Sequence, residues 1–290
     1  ADPRLNDDGV RNMRLFISGS APLLAETHAQ FEQRTGHRIL ERYGMTETNM
    51  ITSNPYDGAR VAGTVGYARP ANAVNITENG APVAAGEIGM IEVRGNNVFQ
   101  GYWNMPEKTA EELTEDGWYK TGDAVSMTDD GELLFFDRVK DMRRLANGHS
   151  YPPQFIETRL RYSPFIKDLM TLGDETREFV SALINVDMEM LGRWAEENGI
   201  NFSTYTDLSQ KSEVLELIKA EVARINALLP EGSRVVRFAN FPKELDPDEG
   251  ELTRSRKLRR AFLEERYARL VQAIYSGAHQ ADLEIAVTYQ

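Results

Sequence analysis

The segment YKTGDAVSMTDDGELLFFDRVKD, residues 119–141, is the stretch from which the organisation of the whole chain can be inferred. A turn containing an acid, Thr121-Gly122-Asp123, leads through an Asp-Asp-Gly hairpin turn into a short apolar strand. The strand ends at Asp137 and Arg138, within a group of charges. Because a hairpin brings its two ends together, Asp123 and Arg138 can converge on one polar ligand. The segment is predicted to form part of a ligand site.

The same segment marks a change in the character of the sequence. Before it the chain is rich in glycine and short strand signals, and after it the chain carries long helical periodicity. At roughly 100–200 residues per domain, the 290 residues suggest two domains. We predict an α/β plus α+β protein with a first domain at 1–139 and a second at 140–290.

The composition excludes several kinds of partner and site. A net charge of −12 argues against nucleic acid or an anionic membrane surface as the main partner. The chain has no cysteine for a disulfide or a thiolate metal site, and its four histidines lack metal-ligand spacing. No apolar run approaches ~18 residues and the start has no signal-peptide pattern, which predicts a cytoplasmic protein without a transmembrane segment.

Small residues follow the first predicted strand, at residues 13–17. A loop at 18–22 comes next, with Ser20 as the N-cap of a helix that Gly36 ends. A strand, a small-residue loop and a helix N-terminus together can bind an anion. An ordinary tight turn explains the same residues.

A second predicted strand, residues 37–43, ends at the segment Gly44-Met45-Thr46-Glu47-Thr48. Thr46 can donate to a phosphate oxygen, and Glu47 can hold Mg²⁺, a hard cation that prefers oxygen ligands. Tyr43 can stack on a base. The Thr-Glu-Thr segment is also compatible with a helix cap, and its spacing does not separate the two interpretations.

Further elements are predicted along the rest of the chain. Dense turn signals over residues 52–86 predict a small β-barrel or sandwich. The longest helix is predicted at 207–229, where apolar residues recur at helical spacing. A basic island at 254–260 is predicted to open another helix. Because cations there oppose the helix macrodipole, an anionic ligand is expected nearby, and the alternative is a solvated run of charge.

Six short motifs occur along the chain in order. They are ISGSAPL at 17–23, RYGMTET at 42–48, EIGMIEVRG at 87–95, GYW at 101–103, GWYKTGD at 117–123 and DRVKD at 137–141. Together they resemble the adenylate-forming acyl-CoA synthetase superfamily of AMP-binding enzymes, and the resemblance covers essentially the whole chain. It implies the end of a large adenylate-forming domain, with strand–helix units and a small β-barrel, followed by a hinged small α+β domain.

The resemblance also implies an activity and its cofactors. Family members activate a carboxylate with Mg-ATP to an acyl-adenylate, release pyrophosphate and transfer the acyl group to the CoA thiol. ATP, Mg²⁺ and CoA are the implied cofactors, and a carboxylic acid is the implied substrate. The residue types fit this chemistry because a carboxylate that attacks a phosphate brings two anions together, so a cation and a lysine must neutralise charge.

Site residues are implied position by position. In the first domain, the implied nucleotide-binding residues are Gly19, Ser20, Ala21, Tyr43, Gly44, Thr46, Asp123 and Arg138. Among them, Tyr43 would stack on adenine, and Asp123 would bind the ribose hydroxyls with help from Arg138. The implied catalytic residues are Lys257, which would contact the carboxylate and phosphate oxygens, and Thr46 and Glu47, with Glu47 as the Mg²⁺ ligand. Lys140 takes the hinge position, and Gly148 would border the pantetheine tunnel of CoA.

One expected motif is missing from the sequence. The family's phosphate loop, of the TSGTTGxPKG type, occurs nowhere in these 290 residues. The chain is expected to be the C-terminal part of a longer enzyme and not to adenylate by itself.

The acid substrate stays open at this point. Residues 13–107 most resemble malonate–CoA ligases, whereas ANGHSYPPQFIE and GELTRSRKLRR, both after residue 130, resemble long-chain fatty acyl-CoA synthetases. The predicted function is a CoA ligase for a fatty acid or a malonate-like acid. The alternatives are an acyl-AMP ligase that loads a carrier protein, an inactive nucleotide- or CoA-binding fragment, and a scaffold without a ligand.

Overall fold

The structure, a computed structural model, describes residues 5–19, 23–253, 257–277 and 287–289. The chain divides into two compact units, one extending to Lys140 and one starting at Asp141. Each unit has its own sheets and its own buried apolar cluster. In the part of the chain that the structure describes, no helix is both long and apolar enough to cross a bilayer.

The first unit combines short helices with two larger sheets. Its helices are α1 (Asp7–Val10), α2 (Ala25–Thr35) and α3 (Pro106–Glu112). Its strands are β1 (Ile17–Ser18), β2 (Leu40–Met45), β3 (Asn49–Ser53), β4 (Tyr67–Ala68), β5 (Asn72–Glu78), β6 (Ala81–Pro82), β7 (Gly89–Gly95), β8 (Tyr119–Met127) and β9 (Leu133–Arg138).

The first sheet, β1-β2-β3-β4, begins as a strand–helix–strand unit. The parallel strands β1 and β2 are connected by α2, since parallel neighbours need a crossover. Gly36 ends α2 in the left-handed conformation, with φ +69°, as predicted. The predicted N-cap was wrong, because α2 starts at Ala25 with Leu24 before it, and Ser20 lies outside the described residues.

The second sheet is antiparallel and has the order β6-β5-β7-β8-β9. Ile91 and Val93, at alternate positions of β7, are fully buried, and they share one apolar cluster with Ile51 of β3. The small β-barrel predicted here was wrong, because β6 and β9 are the two end strands of the sheet and do not pair with each other among the described residues. β6 has only two residues and contains Pro82, and both features end a sheet instead of closing it.

The second unit packs helices against a four-stranded sheet. Its strands are β10 (Arg143–Arg144), β11 (Ser150–Tyr151), β12 (Ile166–Leu172), β13 (Val180–Val186), β14 (Val235–Asn240) and β15 (Val287–Tyr289). Its helices are α4 (Pro153–Leu160), α5 (Met188–Glu197), α6 (Tyr205–Ser209), α7 (Ser212–Asn226), α8 (Arg260–Arg266) and α9 (Ala268–Ser276).

The sheet of the second unit has the order β12-β13-β14-β15. All seven residues of β13 are buried, which explains its nearly continuous apolar sequence. β14 runs parallel to β13, whereas β12 and β15 pair in the antiparallel sense. The helices α8 and α9 add Leu263, Leu270 and Ile274 to the apolar cluster of this unit.

Two helix predictions for this unit were wrong in their bounds. The helix predicted at 207–229 is interrupted at Lys211, whose backbone is extended, so α6 and α7 are separate. The basic island opens α8 only with its last two residues, because the helix starts at Arg260 with Arg259 as its N-cap. Among the described residues of the island, only Arg259 and Arg260 lie at the helix N-terminus, where a cation opposes the macrodipole, and Lys257 precedes it.

Candidate functional site

Asp123 and Arg138 meet across the β8–β9 hairpin. They are register partners, and Arg138 Nη1 lies 3.0 Å from Asp123 Oδ1. Arg138 Nη1 also donates to the carbonyl oxygen of Thr121 at 3.0 Å, which holds the guanidinium against the segment of β8 that carries the acid. The Asp123 side chain is 6% exposed and that of Arg138 is 47% exposed. The structure thus places a buried carboxylate beside a guanidinium that solvent can reach.

Tyr43, from β2 of the first sheet, contacts the same carboxylate from the other side. Its hydroxyl donates to Asp123 Oδ2 at 2.5 Å. Its ring is almost buried and packs against Phe135, with ring centroids 5.6 Å apart. Arg138 and Tyr43 therefore hold different oxygens of Asp123, and each carboxylate oxygen keeps a second lone pair for a ligand. We call these three residues the Asp123 clamp.

Thr121 holds the backbone that carries Asp123. Its hydroxyl donates to the carbonyl oxygen of Ile91 at 2.8 Å and accepts from the backbone N–H of Asp123 at 3.0 Å. Between them, Gly122 has φ +71°, a conformation that glycine adopts without strain. The turn predicted at Thr121-Gly122-Asp123 was wrong, because these residues lie within β8, at an irregularity in its pairing with β7. The Thr121 hydroxyl ties this segment to β7, so two strands set the position of Asp123.

The electrostatics of the clamp combine opposing effects. Burial raises the pKa of Asp123, hydrogen bonds and charge from Tyr43 and Arg138 act against that rise, and the nearby Asp137 adds to it. Burial, followed by the charge of Asp123, raises the pKa of Tyr43 strongly. Tyr43 is therefore a neutral donor, and the clamp holds a desolvated acid that gains from a ligand offering hydrogen-bond donors.

The Thr-Glu-Thr segment is the turn between β2 and β3. Met45 and Asn49 pair across it, and the backbone N–H of Thr48 donates to the Met45 carbonyl oxygen at 3.2 Å. The Thr-Glu-Thr segment therefore does not cap a helix, so the helix-cap interpretation of its sequence was wrong. Thr46 is exposed and Glu47 is half-buried, so both side chains are accessible to a ligand.

Gly44 allows this hairpin to close. A Cβ added at Gly44 would lie 2.1 Å from the carbonyl oxygen of Asn49, closer than any side chain can approach. Asn49 itself has φ +52°, a left-handed conformation that asparagine tolerates better than most residues. The glycine of the motif is required here by the backbone of the opposite strand.

A loop after β7 holds the Thr-Glu-Thr turn in place. The backbone N–H of Phe99 donates to the Glu47 carbonyl oxygen at 2.8 Å, and Asn97 Nδ2 donates to the Thr48 carbonyl oxygen at 2.6 Å. The hydroxyl of Tyr102 donates to Glu47 Oε1 at 3.2 Å. The structure gives Glu47 Oε2 no partner among the described residues, so this oxygen is available to a ligand.

The donor set at Glu47 fits Mg²⁺ bound together with a nucleotide. Mg²⁺ is commonly held by one or two carboxylates plus substrate phosphates, and it keeps several waters. The described residues contain no cluster of three or more His, Cys, Asp or Glu side chains able to hold a metal ion. A single accessible carboxylate next to a threonine hydroxyl can supply a ligand to a phosphate-bound cation but not a complete protein cage.

Two other first-unit positions lie at the surface. Gly19 is exposed, and a Cβ there would lie 2.9 Å from Arg42 Cγ, so β2 approaches it closely. Ser20 and Ala21, predicted beside it, lie outside the described residues. Lys140 is exposed in a 3₁₀ turn, Val139–Asp141, at the point where the first unit ends.

The remaining two site predictions fall in the second unit. Gly148 has φ +87° in the loop between β10 and β11, and its backbone N–H donates to the Leu145 carbonyl oxygen at 3.0 Å. Lys257 is exposed and lies at the end of a loop that Thr253 closes. Thr253 N–H donates to the Lys257 carbonyl oxygen at 2.8 Å, and Lys257 N–H donates to Thr253 Oγ1 at 3.0 Å. The lysine thus belongs to a loop and not to a helix.

Comparison with known proteins accounts for most of the chain. Residues 3–103 match the family described as AMP-binding enzyme, and residues 140–279 match the AMP-binding enzyme C-terminal domain. The chain belongs to the adenylate-forming superfamily of AMP-binding enzymes. The AMP-binding match ends shortly before Asp123, and the C-terminal match starts at Lys140.

Individual AMP-binding relatives agree with this assignment. The chain is 32% identical over 267 residues to a long-chain-fatty-acid–CoA ligase of Mycobacterium bovis, covering 91% of the chain and 42% of that protein. It is 38% identical over 192 residues to malonate–CoA ligase of Arabidopsis thaliana, covering 65% of the chain and 31% of that protein. The crystal structure of ATP-bound MatB from Rhodopseudomonas palustris is 34% identical, with a TM-score of 0.58, covering 93% and 48% of the two chains. The chain spans less than half the length of these AMP-binding relatives.

Several contacts of this candidate site could not be read from the sequence. The bond from Tyr43 to Asp123 joins residues 80 positions apart, and no periodicity reveals it. Tyr102 lies in the GYW motif, whose place among the ordered motifs indicates the family but gives no role to the tyrosine. Its distance of 55 residues from Glu47 hid the contact in the same way.

Proposed function

We propose that the chain is part of an ATP-dependent carboxylic acid–CoA ligase that releases AMP and pyrophosphate. The Asp123 clamp is the observation that supports this function best. Arg138 and Tyr43 fix both oxygens of Asp123 yet leave each a free lone pair. Two adjacent hydroxyls, as on a ribose, can each donate to one of these oxygens, and their hydrogen bonds would offset the desolvation of the carboxylate.

In this proposal the Thr-Glu-Thr turn serves the phosphates. The exposed hydroxyl of Thr46 would donate to an α-phosphate oxygen, and Glu47 would hold Mg²⁺ through its free oxygen. The bound cation would supply charge neutralisation as the acid carboxylate approaches the phosphate. Tyr43 would pack against adenine, with Gly44 and the segment from Gly19 to Ala21 beside it.

The second unit is proposed to be the small catalytic domain that turns about Lys140. Lys257 would contact the carboxylate and phosphate oxygens during adenylation, and the Gly148 loop would border the pantetheine arm of CoA. Both lie in loops of this unit, and Lys257 is exposed, so neither role requires a helix to unwind. A hinge lets one domain present different loops in the two half-reactions.

The substrate is proposed to be a fatty acid or a malonate-like acid, as in the names of the relatives. An acyl-AMP ligase that passes its product to a carrier protein would use the same clamp and lysine, and an inactive binding fragment would keep the clamp alone. We propose a cytoplasmic location from the composition of the chain.

The test is calorimetric binding of acyl-sulfamoyl-adenosines, stable mimics of an acyl-adenylate, with one long-chain acyl group and one malonyl group. We expect at least one of them to bind and the matching guanosine compounds to bind far more weakly. Equal binding of the guanosine compounds, or no binding of any adenosine compound, would contradict the proposal. Titration with CoA and with a phosphopantetheinyl carrier protein then separates the CoA ligase from the carrier-loading enzyme.

A further inference from the structure

The hydroxyls of Tyr119 and Tyr102 form a hydrogen-bonded chain that ends at the carboxylate of Glu47. The Tyr102 hydroxyl lies 3.2 Å from Glu47 Oε1 and 3.1 Å from the Tyr119 hydroxyl. An ionised carboxylate only accepts hydrogen bonds, and a hydroxyl has one proton to donate. Once Tyr102 donates to Glu47, Tyr119 must therefore donate to Tyr102. The direction of donation runs from the buried Tyr119, which is 2% exposed, outward to the carboxylate.

The rings that carry these hydroxyls are held by packing that does not involve the hydroxyls. Phe99 meets the Tyr102 ring edge-on at 4.8 Å and the Tyr119 ring edge-on at 5.3 Å. The backbone N–H of Tyr102 donates to Thr109 Oγ1 of α3 at 2.9 Å. Removing one hydroxyl should leave these three rings in place, so the effect of the hydroxyl can be measured separately.

The backbone of Glu47 is fixed from the same loop. Phe99 N–H donates to the Glu47 carbonyl oxygen at 2.8 Å, so the loop after β7 holds both the main chain and one carboxylate oxygen of this residue. The second carboxylate oxygen, Oε2, has no partner in the described part of the chain. These contacts fix the orientation of the half-buried Glu47 carboxylate and leave its Oε2 atom without a hydrogen-bond donor among the described residues.

We infer that Tyr102 is a positioning residue for the metal-binding carboxylate of Glu47, with Tyr119 as the donor behind it. The inference rests on the proposed function, because it assigns to the GYW motif a part in holding the cation that accompanies ATP. Hydrogen bonds to the ligands of a metal orient them, and losing such a bond commonly lowers metal affinity by about 10- to 100-fold.

The position of Tyr119 gives the inference a further consequence. Tyr119 is the first residue of β8, and Asp123 lies on the same strand. One strand thus supports both the Asp123 clamp and the hydrogen-bonded chain that ends at Glu47. The ribose and the cation would be held at places that a single rigid element fixes relative to each other.

The experiment measures ATP affinity by calorimetry, with Mn²⁺ and with a chelator, and adenosine affinity without metal. The variants are Tyr102→Phe and Tyr119→Phe, and the control is Tyr56→Phe, whose side chain is exposed elsewhere in the same unit. We expect Mn²⁺ to strengthen ATP binding to the unaltered protein. Tyr102→Phe should reduce this gain by about 10-fold or more, Tyr119→Phe should reduce it less, and adenosine affinity should not change.

The possible outcomes separate the inference from the function on which it rests. If the unaltered protein does not bind adenosine, the proposed function fails and the inference fails with it. If adenosine binds and Mn²⁺ strengthens ATP binding but Tyr102→Phe keeps the full gain, the inference alone is overturned. If Mn²⁺ adds nothing to ATP affinity, the metal role proposed for Glu47 fails and the inference fails with it. A merely structural tyrosine would lower adenosine and Mn–ATP affinity together, and that result also overturns it.

Discussion

At the scale of single residues, Asp123 differs from the apolar core around it. The carboxylate is almost fully buried beside an apolar cluster, and two donors hold it. Burial outweighs those donors, so the pKa of Asp123 is raised. Ionisation of such a buried acid lowers the stability of the folded protein. A ligand whose hydroxyl groups donate to the carboxylate can offset part of this loss.

We predict that Asp123→Asn increases the stability of the protein more at neutral pH than in acid. The pKa of Asp123 in the folded protein is raised above the usual value of 3.8. Ionisation of Asp123 therefore lowers the stability of the fold as the pH rises from the usual pKa through the folded-state pKa. Asparagine cannot ionise, so its advantage should be small at about pH 3 and full at about pH 7. Thermal unfolding midpoints of both proteins across this range provide the measurement.

Asp174 is a matched control of opposite sign. Burial raises its pKa, but hydrogen bonds from Thr176 and the charge of Arg177 outweigh burial, and the pKa is lowered overall. The ionised carboxylate of Asp174 therefore stabilises the fold at pH values above its usual pKa. Relative to the unaltered protein, Asp174→Asn should become less stable as pH rises. An Asp123→Asn curve that follows the Asp174→Asn curve would refute the account of Asp123.

At the scale of elements, the β2–β3 hairpin depends on the absence of one side chain. We predict that Gly44→Ala destabilises the first unit by about 1–3 kcal/mol, the usual cost of forcing an extra methyl into a packed site. The added Cβ would lie 2.1 Å from the Asn49 carbonyl oxygen, so the strands must separate. Denaturant unfolding measures the loss.

Gly192→Ala is the control for this change. Gly192 lies in α5, and its added Cβ would meet only Phe202 at 3.4 Å, an ordinary contact. Since alanine favours helices over glycine by about 1 kcal/mol, this variant should be neutral or more stable. If Gly44→Ala were equally harmless, the hairpin would not need its glycine.

The loop that carries Lys257 is anchored by a buried acid, Glu251. Its carboxylate accepts from Lys243 Nζ at 2.8 Å, from the Tyr267 hydroxyl at 2.7 Å and from the Asp246 N–H at 2.9 Å. Its neighbour Leu252 forms a bridge with Leu258, directly after the lysine. The buried Glu251 network therefore adjoins the backbone bridge that lies next to Lys257.

We predict that Glu251→Gln destabilises the second unit by about 3 kcal/mol, because it leaves the partly buried Lys243 without its main partner. Glu249 contacts the same lysine at 3.2 Å but is exposed. Glu249→Gln is thus the matched control and should change stability little. Chemical denaturation of both variants measures the difference, and equal effects would show that burial of Glu251 contributes nothing.

The sequence was informative about elements where the signal is local. The left-handed glycine after α2 and the β8–β9 hairpin both follow from neighbouring residues. The basic island was predicted to open a helix, but the helix starts only at its last residue, Arg260, and Lys257 pairs with Thr253 before that start. The barrel prediction failed because turn density shows how many strands there are but not whether the edge strands meet.

At the scale of the whole molecule, two apolar clusters predict two unfolding transitions. One cluster contains Ile51 and Ile91 in the first unit, and the other contains Leu263 and Ile274 in the second. Adenosine at 100 times its Kd should raise the stability of the first unit by about 2.7 kcal/mol and leave the other transition unchanged. Differential scanning calorimetry tests this, and one cooperative transition that shifts as a whole would contradict it.

The sequence also carried the family at this scale, through the order of its motifs. It did not carry the contacts that make those motifs one site, because Tyr43 reaches Asp123 across 80 residues and Tyr102 reaches Glu47 across 55. Each of these contacts joins two elements that lie far apart in the sequence. Tertiary packing, and not any local pattern, decides which polar side chains meet.

We propose that Asp123 holds the ribose hydroxyls of an adenine nucleotide. The measurement is calorimetric binding of adenosine, 2′-deoxyadenosine and 3′-deoxyadenosine to the unaltered protein and to Asp123→Ala. We predict that the unaltered protein binds adenosine at least about 10-fold more tightly than either deoxynucleoside, the effect of losing one hydrogen bond to a charged acceptor. In Asp123→Ala that preference should disappear as adenosine affinity falls to the level of the deoxynucleosides. A variant that keeps the preference, or an unaltered protein that shows none, would contradict the account.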